Sequence, residues 1–303
     1  MEMEREKWLE ERRKGIGGSD AAKVLGYSRW GGPFSVYQDK VNGIREDLGN
    51  VEAVHFGTVL EEVVAREFAE REGLKVHRIN RIVTSPDHPF MLANIDRKIA
   101  GQNVGLECKT ANARRAEEWK DDELPTEYYV QVQHYCSVMG WEGCWVACLI
   151  GGQRFVSKFV PRNDEFISDM IDGERDFWEG HVVPQIPPAP GAFDIISAPQ
   201  TTEEILTPTD EDLDLARELA ELRAFLDKAE ARKDTLENQL KARIGSTAGI
   251  EGVATWKQSK DKTKTDWEAI CNELSPSPEL VKKHTQTVPG TRRFLFKFKK
   301  EAA

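Results

Sequence analysis

Apolar residues recur along the chain at two different spacings, which predict helices in some stretches and strands in others. Helical spacing predicts four principal helices, over residues 2–13, 58–72, 125–139 and 163–180. Two shorter helices are expected near the N-terminus. The first follows the capping pair Ser19-Asp20 and covers 21–25, and the second begins at Pro33 and ends near Val41.

Six short runs rich in apolar and β-branched residues lie between these helices and are typical of strands. They cover residues 74–78, 81–85, 90–99, 104–110, 144–150 and 154–160. A turn at 100–103 joins the third run to the fourth, and Gly151-Gly152 joins the last two as a hairpin. This order of elements predicts an α/β fold with a central mixed β-sheet flanked by helices.

A longer apolar repeat follows in the C-terminal third of the chain. Its positions are separated by alternating steps of four and three residues, and only Lys233 interrupts them. The members are Leu215, Leu219, Leu222, Leu226, Ala229, Leu236 and Leu240. The spacing predicts one long heptad helix over 207–245, which begins at Thr207-Pro208 and ends at Gly245. Such a helix either lies along a globular domain or associates with a partner, and the pattern leaves both open.

The chain therefore divides into segments of different character. Residues 182–191 contain four prolines, which is typical of an extended connector. We predict a first domain over 1–190, a proline-containing linker over 191–206, then the heptad helix, and a small basic α+β module over 246–303.

The small module carries two strand-like runs, at 250–260 and 292–300. In the second run phenylalanines alternate with basic or polar residues, so that the module would present a basic and half-apolar edge. The basic residues are Lys282, Lys283, Arg292, Arg293, Lys297, Lys299 and Lys300. This edge is either an accessory grip on DNA phosphates or a surface for a partner or for self-assembly.

Composition limits the classes of function. Of the 303 residues, 39% are apolar and 31% are charged, which favours a packed core over disorder. The net charge of −10 argues against coating of nucleic acid by bulk electrostatics. Residues 1–200 hold 33 acidic and 24 basic side chains, residues 201–240 hold 12 and 5, and residues 241–303 hold 7 and 13. The last segment is therefore basic, and a local basic track remains open.

The distribution of apolar residues and cysteines indicates the cell compartment. No window approaches 18 apolar residues, and the charged N-terminus lacks the apolar core of a signal peptide. Five irregularly spaced cysteines do not form a disulfide framework, so we expect a reducing cytoplasm and no membrane partner. Cys136, Cys144 and Cys148 lack the spacing of a four-thiolate iron–sulfur site and are expected in the core.

The candidate chemistry lies in the strand cluster. Asp96 lies near the end of one predicted strand, and Glu107, Cys108 and Lys109 lie on the next. Because side chains alternate along a strand, Glu107 and Lys109 point to one face and Cys108 to the other. If the two strands pair, Asp96 reaches the Glu107 face, where two carboxylates would repel each other unless a cation lies between them. Oxygen ligands suit Mg²⁺, with Mn²⁺ as an alternative.

On these residues and their neighbours the sequence resembles the lambda-exonuclease group of YqaJ-like viral recombinases, within the PD-(D/E)XK nuclease superfamily. The resemblance covers about residues 8–182 and rests on motifs that occur in the family's order. They are Trp8-x-x-x-Arg12 with Gly15-Ile16-Gly17-Gly18-Ser19-Asp20, His55-Phe56-Gly57-Thr58-x-x-Glu61, Asn94-Ile95-Asp96, Glu107-Cys108-Lys109-Thr110, and Tyr128-x-x-Gln131-Val132-Gln133. A threonine follows Lys109 where a proline is expected.

The resemblance implies a PD-(D/E)XK nuclease core and a role for each motif residue. Asp96, Glu107 and the Cys108 backbone carbonyl would bind divalent metal, two ions in each site, with Glu61 in or near the metal shell. Lys109 would position or activate the attacking water, and Gln131 would orient Lys109 or the scissile phosphate. Tyr128 would contact the nucleotide. By residue type alone, Glu61 would be an exposed helical glutamate and Tyr128 a packing tyrosine.

The opening motif has the chemistry of an anion site. Gly17, Gly18 and Ser19 precede a helix N-terminus, where backbone N–H groups lack partners, and Arg12 can pair with a phosphate there. By resemblance this is a pocket for the 5′-terminal phosphate of DNA. Without the other motifs, a glycine-rich turn capped by serine would explain the same residues.

The expected function is a Mg²⁺-dependent 5′→3′ exonuclease of a phage-type recombination system, acting on double-stranded DNA ends. It would leave a 3′ strand for a single-strand annealing protein, in the cytoplasm of a bacterial host. The family implies a homo-oligomeric ring, commonly a trimer. The alternatives are an endonuclease on the same core and a non-catalytic DNA-binding scaffold that assembles through the heptad helix.

Overall fold

A computed structural model describes residues 2–45, 51–121, 124–194, 205–260 and 263–286. The chain divides into two compact units, over Met1–Gln200 and Thr201–Ala303. The nine α-helices of the described ranges are α1 Glu2–Arg13, α2 Gly18–Val24, α3 Pro33–Asn42, α4 Glu52–Glu72, α5 Thr126–Met139, α6 Asp164–Phe177, α7 Asp210–Ile244, α8 Trp267–Leu274 and α9 Pro278–Lys283. A 3₁₀ helix covers Ala113–Trp119, and a π-helical turn over Trp178–Val182 continues α6.

The strands form three sheets. They are β1 Ile16–Gly17, β2 Val76–Arg78, β3 Val83–Thr84, β4 Met91–Ala93, β5 Arg97–Ile99, β6 Val104–Ala111, β7 Gly143–Ile150, β8 Arg154–Pro161, β9 Gly249–Ile250 and β10 Ala254–Thr255. The main sheet has the order β2-β5-β6-β7-β8, in which β6 and β7 are parallel and the other neighbours antiparallel. A smaller sheet has the order β1-β4-β3, and β9 pairs with β10. The predicted mixed sheet and the hairpin at Gly151-Gly152 are confirmed.

The main sheet is covered on both faces. Cys144, Val146 and Cys148 of β7 pack in a core cluster with Val130 and Cys136 of α5. On the other face, Leu106 and Cys108 of β6 pack with Val64 and Phe68 of α4. Cys136, Cys144 and Cys148 are buried free thiols, as predicted. The two helices therefore hold the middle of β6 between them.

One strand prediction is wrong at the point where the candidate chemistry lies. Residues 90–99 do not form a single strand, because the chain leaves β4 at Ala93 and enters β5 at Arg97. β4 pairs with β1 and β3, whereas β5 pairs with β2 and β6. The segment 94–96 is thus the crossing between two sheets, and Asp96 lies in the bend rather than in a strand.

Element boundaries differ elsewhere. The pair Ser19-Asp20 does not precede α2 as a cap, because the helix begins at Gly18 and its N-cap is Gly17. The helix predicted over 58–72 begins six residues earlier, at Glu52. The long helix begins at Asp210 rather than at Thr207-Pro208, because Thr209 caps it through a hydrogen bond from the Asp212 N–H. Gly245 ends it as predicted.

In the second unit, the run at 250–260 is not one strand. Gly252 has a φ of +69°, and the turn it makes separates β9 from β10. The predicted run at 292–300, with Arg292, Arg293, Lys297, Lys299 and Lys300, lies outside the described residues. No helix in the described ranges is long and apolar enough to cross a membrane.

Candidate active site

The predicted catalytic residues Glu107 and Lys109 lie on β6, and their side chains point to the same face, as the alternation of side chains along a strand predicts. Glu107 and Lys109 point toward α5, and Cys108 points to the opposite face, where it packs with the α4 cluster. The parallel register with β7 places Glu107 across from Val146 in the middle of the sheet. Glu107 is 3% exposed, so its carboxylate is held inside the protein by its neighbours rather than by water.

Glu107, Lys109 and Gln131 form a closed polar triangle between β6 and α5. The Lys109 Nζ lies 2.6 Å from Glu107 Oε1 and donates to Gln131 Oε1 at 3.0 Å. The Gln131 Nε2 in turn donates to Glu107 Oε1 at 2.8 Å. Gln131 therefore fixes both the lysine and the carboxylate, since its amide serves one as acceptor and the other as donor.

Asp96 joins this group from the bend before β5. Its Oδ2 accepts a hydrogen bond of 2.8 Å from the Cys108 N–H, which pins the carboxylate to β6. Burial raises the pKa of Asp96 well above its ordinary value, and repulsion from Glu107 adds to the rise. Two carboxyl groups in one buried site destabilise each other's charged form, and a cation between them would remove that cost.

Lys109 is a protonated ammonium in this setting. Burial by itself lowers the pKa of Lys109, but attraction to Glu107 and the hydrogen bond with it outweigh burial, so the pKa is raised. The Nζ also lies 4.8 Å from the centre of the Tyr128 ring. Tyr128 packs on Trp119 with ring centres 5.6 Å apart, so that its ring stands beside the triangle.

The donor set fits a divalent cation that is bound partly by water. Glu107 Oε2 is buried and has no hydrogen-bond partner, so this oxygen is available as a ligand. In the part of the chain that the structure describes, no three His, Cys, Asp or Glu side chains converge on one metal position. The resemblance implies Asp96, Glu107 and the Cys108 carbonyl as the protein ligands, and hard cations such as Mg²⁺ keep several waters in such sites.

Glu61 lies beside the site but has its own partner. It projects from α4, and its Oε1 accepts a hydrogen bond of 2.6 Å from Arg97 Nη1. Arg97 is 3% exposed and also donates to Glu62. The charge of Glu61 contributes to the raised pKa of Asp96, so it lies within electrostatic reach of the site. The sequence did not predict the Arg97 ion pair.

Arg12, Gly17, Gly18 and Ser19 come together at the start of α2. The Arg12 Nη2 donates to Ser19 Oγ at 3.2 Å, and the guanidinium lies 4.9 Å from the centre of the Trp8 ring. A cleft of about 140 Å³ is lined by these four residues and by Asp96, Glu107 and Gln131. The predicted anion pocket and the predicted metal site thus share one cleft.

The cleft at the start of α2 is bordered by a buried ion pair between Lys40 and Asp20 that the sequence did not predict. The Lys40 Nζ, on α3, lies 2.7 Å from Asp20 Oδ2 and donates to the Arg12 carbonyl at 2.9 Å. The same Asp20 carboxylate accepts from the Gly17 N–H at 3.1 Å and lies 3.8 Å from Arg12. Burial would raise the pKa of Asp20, but Lys40 and Arg12 together lower it below its ordinary value. No spacing in the sequence connects Lys40 with the opening motif.

Tyr135 is a third residue of the site that the sequence did not predict. It lies one helical turn beyond Gln131 on α5, accepts from Gln131 Nε2 at 2.8 Å and donates to the Asn94 carbonyl at 3.0 Å. The helical spacing from Gln131 was the available signal. Tyr135 therefore links the triangle to the bend that carries Asp96.

Comparisons with known proteins identify the family of this chain. A family model described as "YqaJ-like viral recombinase domain" matches residues 7–142. The "Uncharacterized protein YqaJ" of Bacillus subtilis (strain 168) is 36% identical over 302 residues, which cover 94% of this chain and 92% of that protein. A crystal structure of an alkaline exonuclease (LHK-Exo) from Laribacter hongkongensis aligns with a TM-score of 0.51 and 19% identity, over 60% of this chain and 94% of that chain. Its complex with dAMP aligns with the same values.

Proposed function

The chain belongs to the YqaJ-like viral recombinase family and has a PD-(D/E)XK nuclease fold, and from this we propose that it is a metal-dependent DNA exonuclease. It would hydrolyse phosphodiester bonds at double-stranded DNA ends in the 5′→3′ direction and expose a 3′ single strand. The solved relative of the same fold is itself an alkaline exonuclease, and the structure of its complex contains dAMP.

One observation carries the exonuclease proposal. The cleft that holds Asp96, Glu107 and Gln131 is also lined by Arg12, Ser19 and the glycines before them. A terminal phosphate bound by the Arg12 guanidinium and the Ser19 hydroxyl would therefore lie beside the carboxylates. This arrangement suits attack close to a chain end, since the end itself is the anchored group.

The chain's own residues divide the chemistry between them. Asp96, Glu107 and the Cys108 carbonyl would hold Mg²⁺, or Mn²⁺ in its place, with two ions in a loaded site and Glu61 nearby. When bound, the metal supplies Lewis-acid polarisation of the phosphate and activation of water.

Lys109 acts directly on the reacting group, and Gln131 positions it. The Lys109 ammonium offsets negative charge that develops on the phosphate and orients the attacking water. Gln131 holds Lys109 at 3.0 Å and Glu107 at 2.8 Å, so the two groups keep a fixed separation during turnover. Tyr128, beside Lys109, would contact the nucleotide.

The family also supports proposals on partners. The exposed 3′ strand would be passed to a single-strand annealing protein, in the cytoplasm of a bacterial host. Several copies of the first unit would form a ring, commonly a trimer, around the DNA.

The test follows end-labelled linear duplexes in Mg²⁺. We expect release of the 5′ label before the 3′ label and faster digestion of 5′-phosphorylated than of 5′-hydroxyl ends. Lys109→Ala and Asp96→Ala should each reduce the rate by about 10²-fold or more. Lys75→Ala, at an exposed position before β2, is the matched control and should leave the rate unchanged.

Three results would contradict parts of this proposal. Undiminished digestion by both active-site variants would exclude the assigned residues. Cleavage of covalently closed circles would favour an endonuclease on the same core. DNA binding without any digestion would favour a non-catalytic scaffold.

A further inference from the structure

α7 carries an exposed apolar seam along its length. The helix has 35 residues and is therefore about 52 Å long. Leu215, Leu222, Leu226 and Leu236 of the heptad repeat are between 44% and 60% exposed. Ile244, at the very end, is the single buried residue of this helix. A row of leucines at heptad spacing is the surface with which helices pair, and it is unfavourable in water.

Charge is distributed unevenly along the same helix. The half over 210–227 has seven acidic and two basic side chains, whereas the half over 228–244 has three acidic and five basic. A second copy of α7 that runs in the opposite direction would place each acidic half along a basic half. The two helix dipoles would then be antiparallel, so that the positive end of each lies beside the negative end of the other, which is favourable.

We propose that α7 pairs with α7 of a second copy of this chain in an antiparallel, two-stranded coiled coil. The register that brings Leu219 across from Leu236 also brings Leu215 across from Leu240 and Leu226 across from Ala229. Lys233 then faces Leu222, so that its aliphatic stem packs on the leucine and its ammonium reaches the edge.

The charged seam positions select this direction over the parallel one. In the antiparallel register Asp212, at the first heptad position, faces Arg243 of the second copy. Arg223 and Glu230, which flank the seam, also face each other across the pair. A parallel pair would bring Glu218 to Arg223 and Arg232 to Glu237, but it would place Asp212 against Asp212 and Lys233 against Lys233 in the seam itself. Like charges at facing seam positions are destabilising.

The first test measures the mass of the full chain in solution by light scattering. The double variant Leu222→Glu with Leu226→Glu places charges in the seam and should halve the mass of the particle. Its control is Ala224→Glu with Ala231→Glu, which adds the same charge on the opposite, exposed face of α7 and should leave the mass unchanged. An unchanged mass for the seam variant would overturn the proposal.

The second test fixes the direction by charge reversal. Arg223→Glu alone should weaken the pair, because it faces Glu230 of the second copy, and the double variant Arg223→Glu with Glu230→Arg should restore it. In a parallel pair the double variant would not recover, since residue 223 would then face Glu218.

Cysteine cross-linking gives an independent readout in a Cys271→Ser background, since Cys271 is the exposed cysteine among the described residues. A mixture of the Leu219→Cys and Leu236→Cys chains should form a covalent dimer, and the Leu219→Cys chain alone should not. A dimer from the Leu219→Cys chain alone would exclude the antiparallel pair. These tests need no nuclease activity, so their outcome is separate from that of the proposed function.

Discussion

Gly18 lies where α2 packs against α5, and there is no space for a larger side chain at this position. A Cβ at this position would lie 2.5 Å from Tyr135 Cε1 and 3.1 Å from Gln131 Cγ. The glycine of the opening motif therefore lets the start of α2 approach the helix that carries the triangle.

Gly18→Ala should consequently cost about 1–3 kcal/mol of unfolding free energy, which is typical of overpacking. Gly17→Ala is the matched control, because its Cβ would meet nothing closer than Asp20 Oδ2 at 3.4 Å. We expect a cost below about 1 kcal/mol for this cap position. Chemical denaturation of both variants measures the difference, and equal costs would mean that the close approach to Tyr135 does not limit position 18.

Lys40 forms a buried ion pair with Asp20, and its loss should destabilise the protein. Its side chain is fully buried against Asp20, so Lys40→Met would leave the buried carboxylate without its nearest cation, with Arg12 3.8 Å away. Loss of one partner of a buried pair costs about 3–5 kcal/mol. Urea denaturation should show this cost at neutral pH. Because the folded-state pKa of Asp20 is lowered, the pair's contribution is present above the ordinary pKa and is lost as pH falls through the folded value.

The control for Lys40 is a double variant. Asp20→Asn with Lys40→Met removes both charges and should recover part of the lost stability. If the double variant is no more stable than Lys40→Met, the cost arises from the packing of the lysine stem and not from the orphaned charge.

At the scale of elements, α5 links the site to α6 through a buried histidine. His134 Nδ1 lies 2.8 Å from Glu174 Oε1, and His134 Nε2 lies 2.9 Å from the Leu92 carbonyl. Burial would lower the pKa of His134, but Glu174 and the two hydrogen bonds, with a smaller contribution from the charge of Asp20, raise it above its ordinary value. With both ring nitrogens facing acceptors, the imidazolium is the favoured form.

This link predicts a pH dependence of stability. A raised folded-state pKa means that the His134 contribution is complete below about pH 6.5 and is lost as pH rises through the folded value. The unfolding free energy of the wild type relative to His134→Gln should therefore decrease from pH 6 toward pH 9. A difference that is flat or that increases over this range would show that His134 is not held as a cation.

The elements also show how far the sequence predicts the structure. Alternation along β6 correctly placed Glu107 and Lys109 on one face, because side-chain direction in a strand depends on local geometry alone. Residues 90–99 predict one strand because most of them are apolar, although Asn94 and Asp96 are poor strand formers. In the structure this segment is divided at residues 94–96. There the Asp96 carboxylate accepts the Cys108 N–H, so this N–H of β6 is not available for pairing with a longer β5.

The sequence also does not predict contacts between side chains that lie far apart along the chain. Asp20 and Lys40 lie on two different helices, and Glu61 and Arg97 on a helix and a strand. Such pairs have no periodic relation along the chain, so they become visible only when the elements are packed. The resemblance implies the residues of the triangle and a contact of Gln131 with Lys109, whereas the contacts that Glu107 makes with both are seen only in the structure.

At the scale of the whole molecule, the net charge of −10 argues against general coating of DNA and leaves open the proposed binding at one local site. Glu107 and Asp96 contribute to that charge, and a bound cation would reverse its sign at the point where the phosphate of the proposed substrate would lie. Arg12 supplies the fixed positive charge of the same cleft. We therefore expect binding of DNA ends to depend more on divalent metal than it does in a uniformly basic protein.

Glu107→Gln and the wild type are to be compared on a 5′-phosphorylated linear duplex, with and without Mg²⁺. The substitution keeps the shape of the side chain and removes one carboxylate from the site. We predict that the wild type releases nucleotides from the linear duplex only with Mg²⁺, and that Glu107→Gln is slower by about 10²-fold or more at a temperature at which both proteins are folded. Failure of the wild type to digest the duplex, or equal rates for the two proteins, would contradict the account.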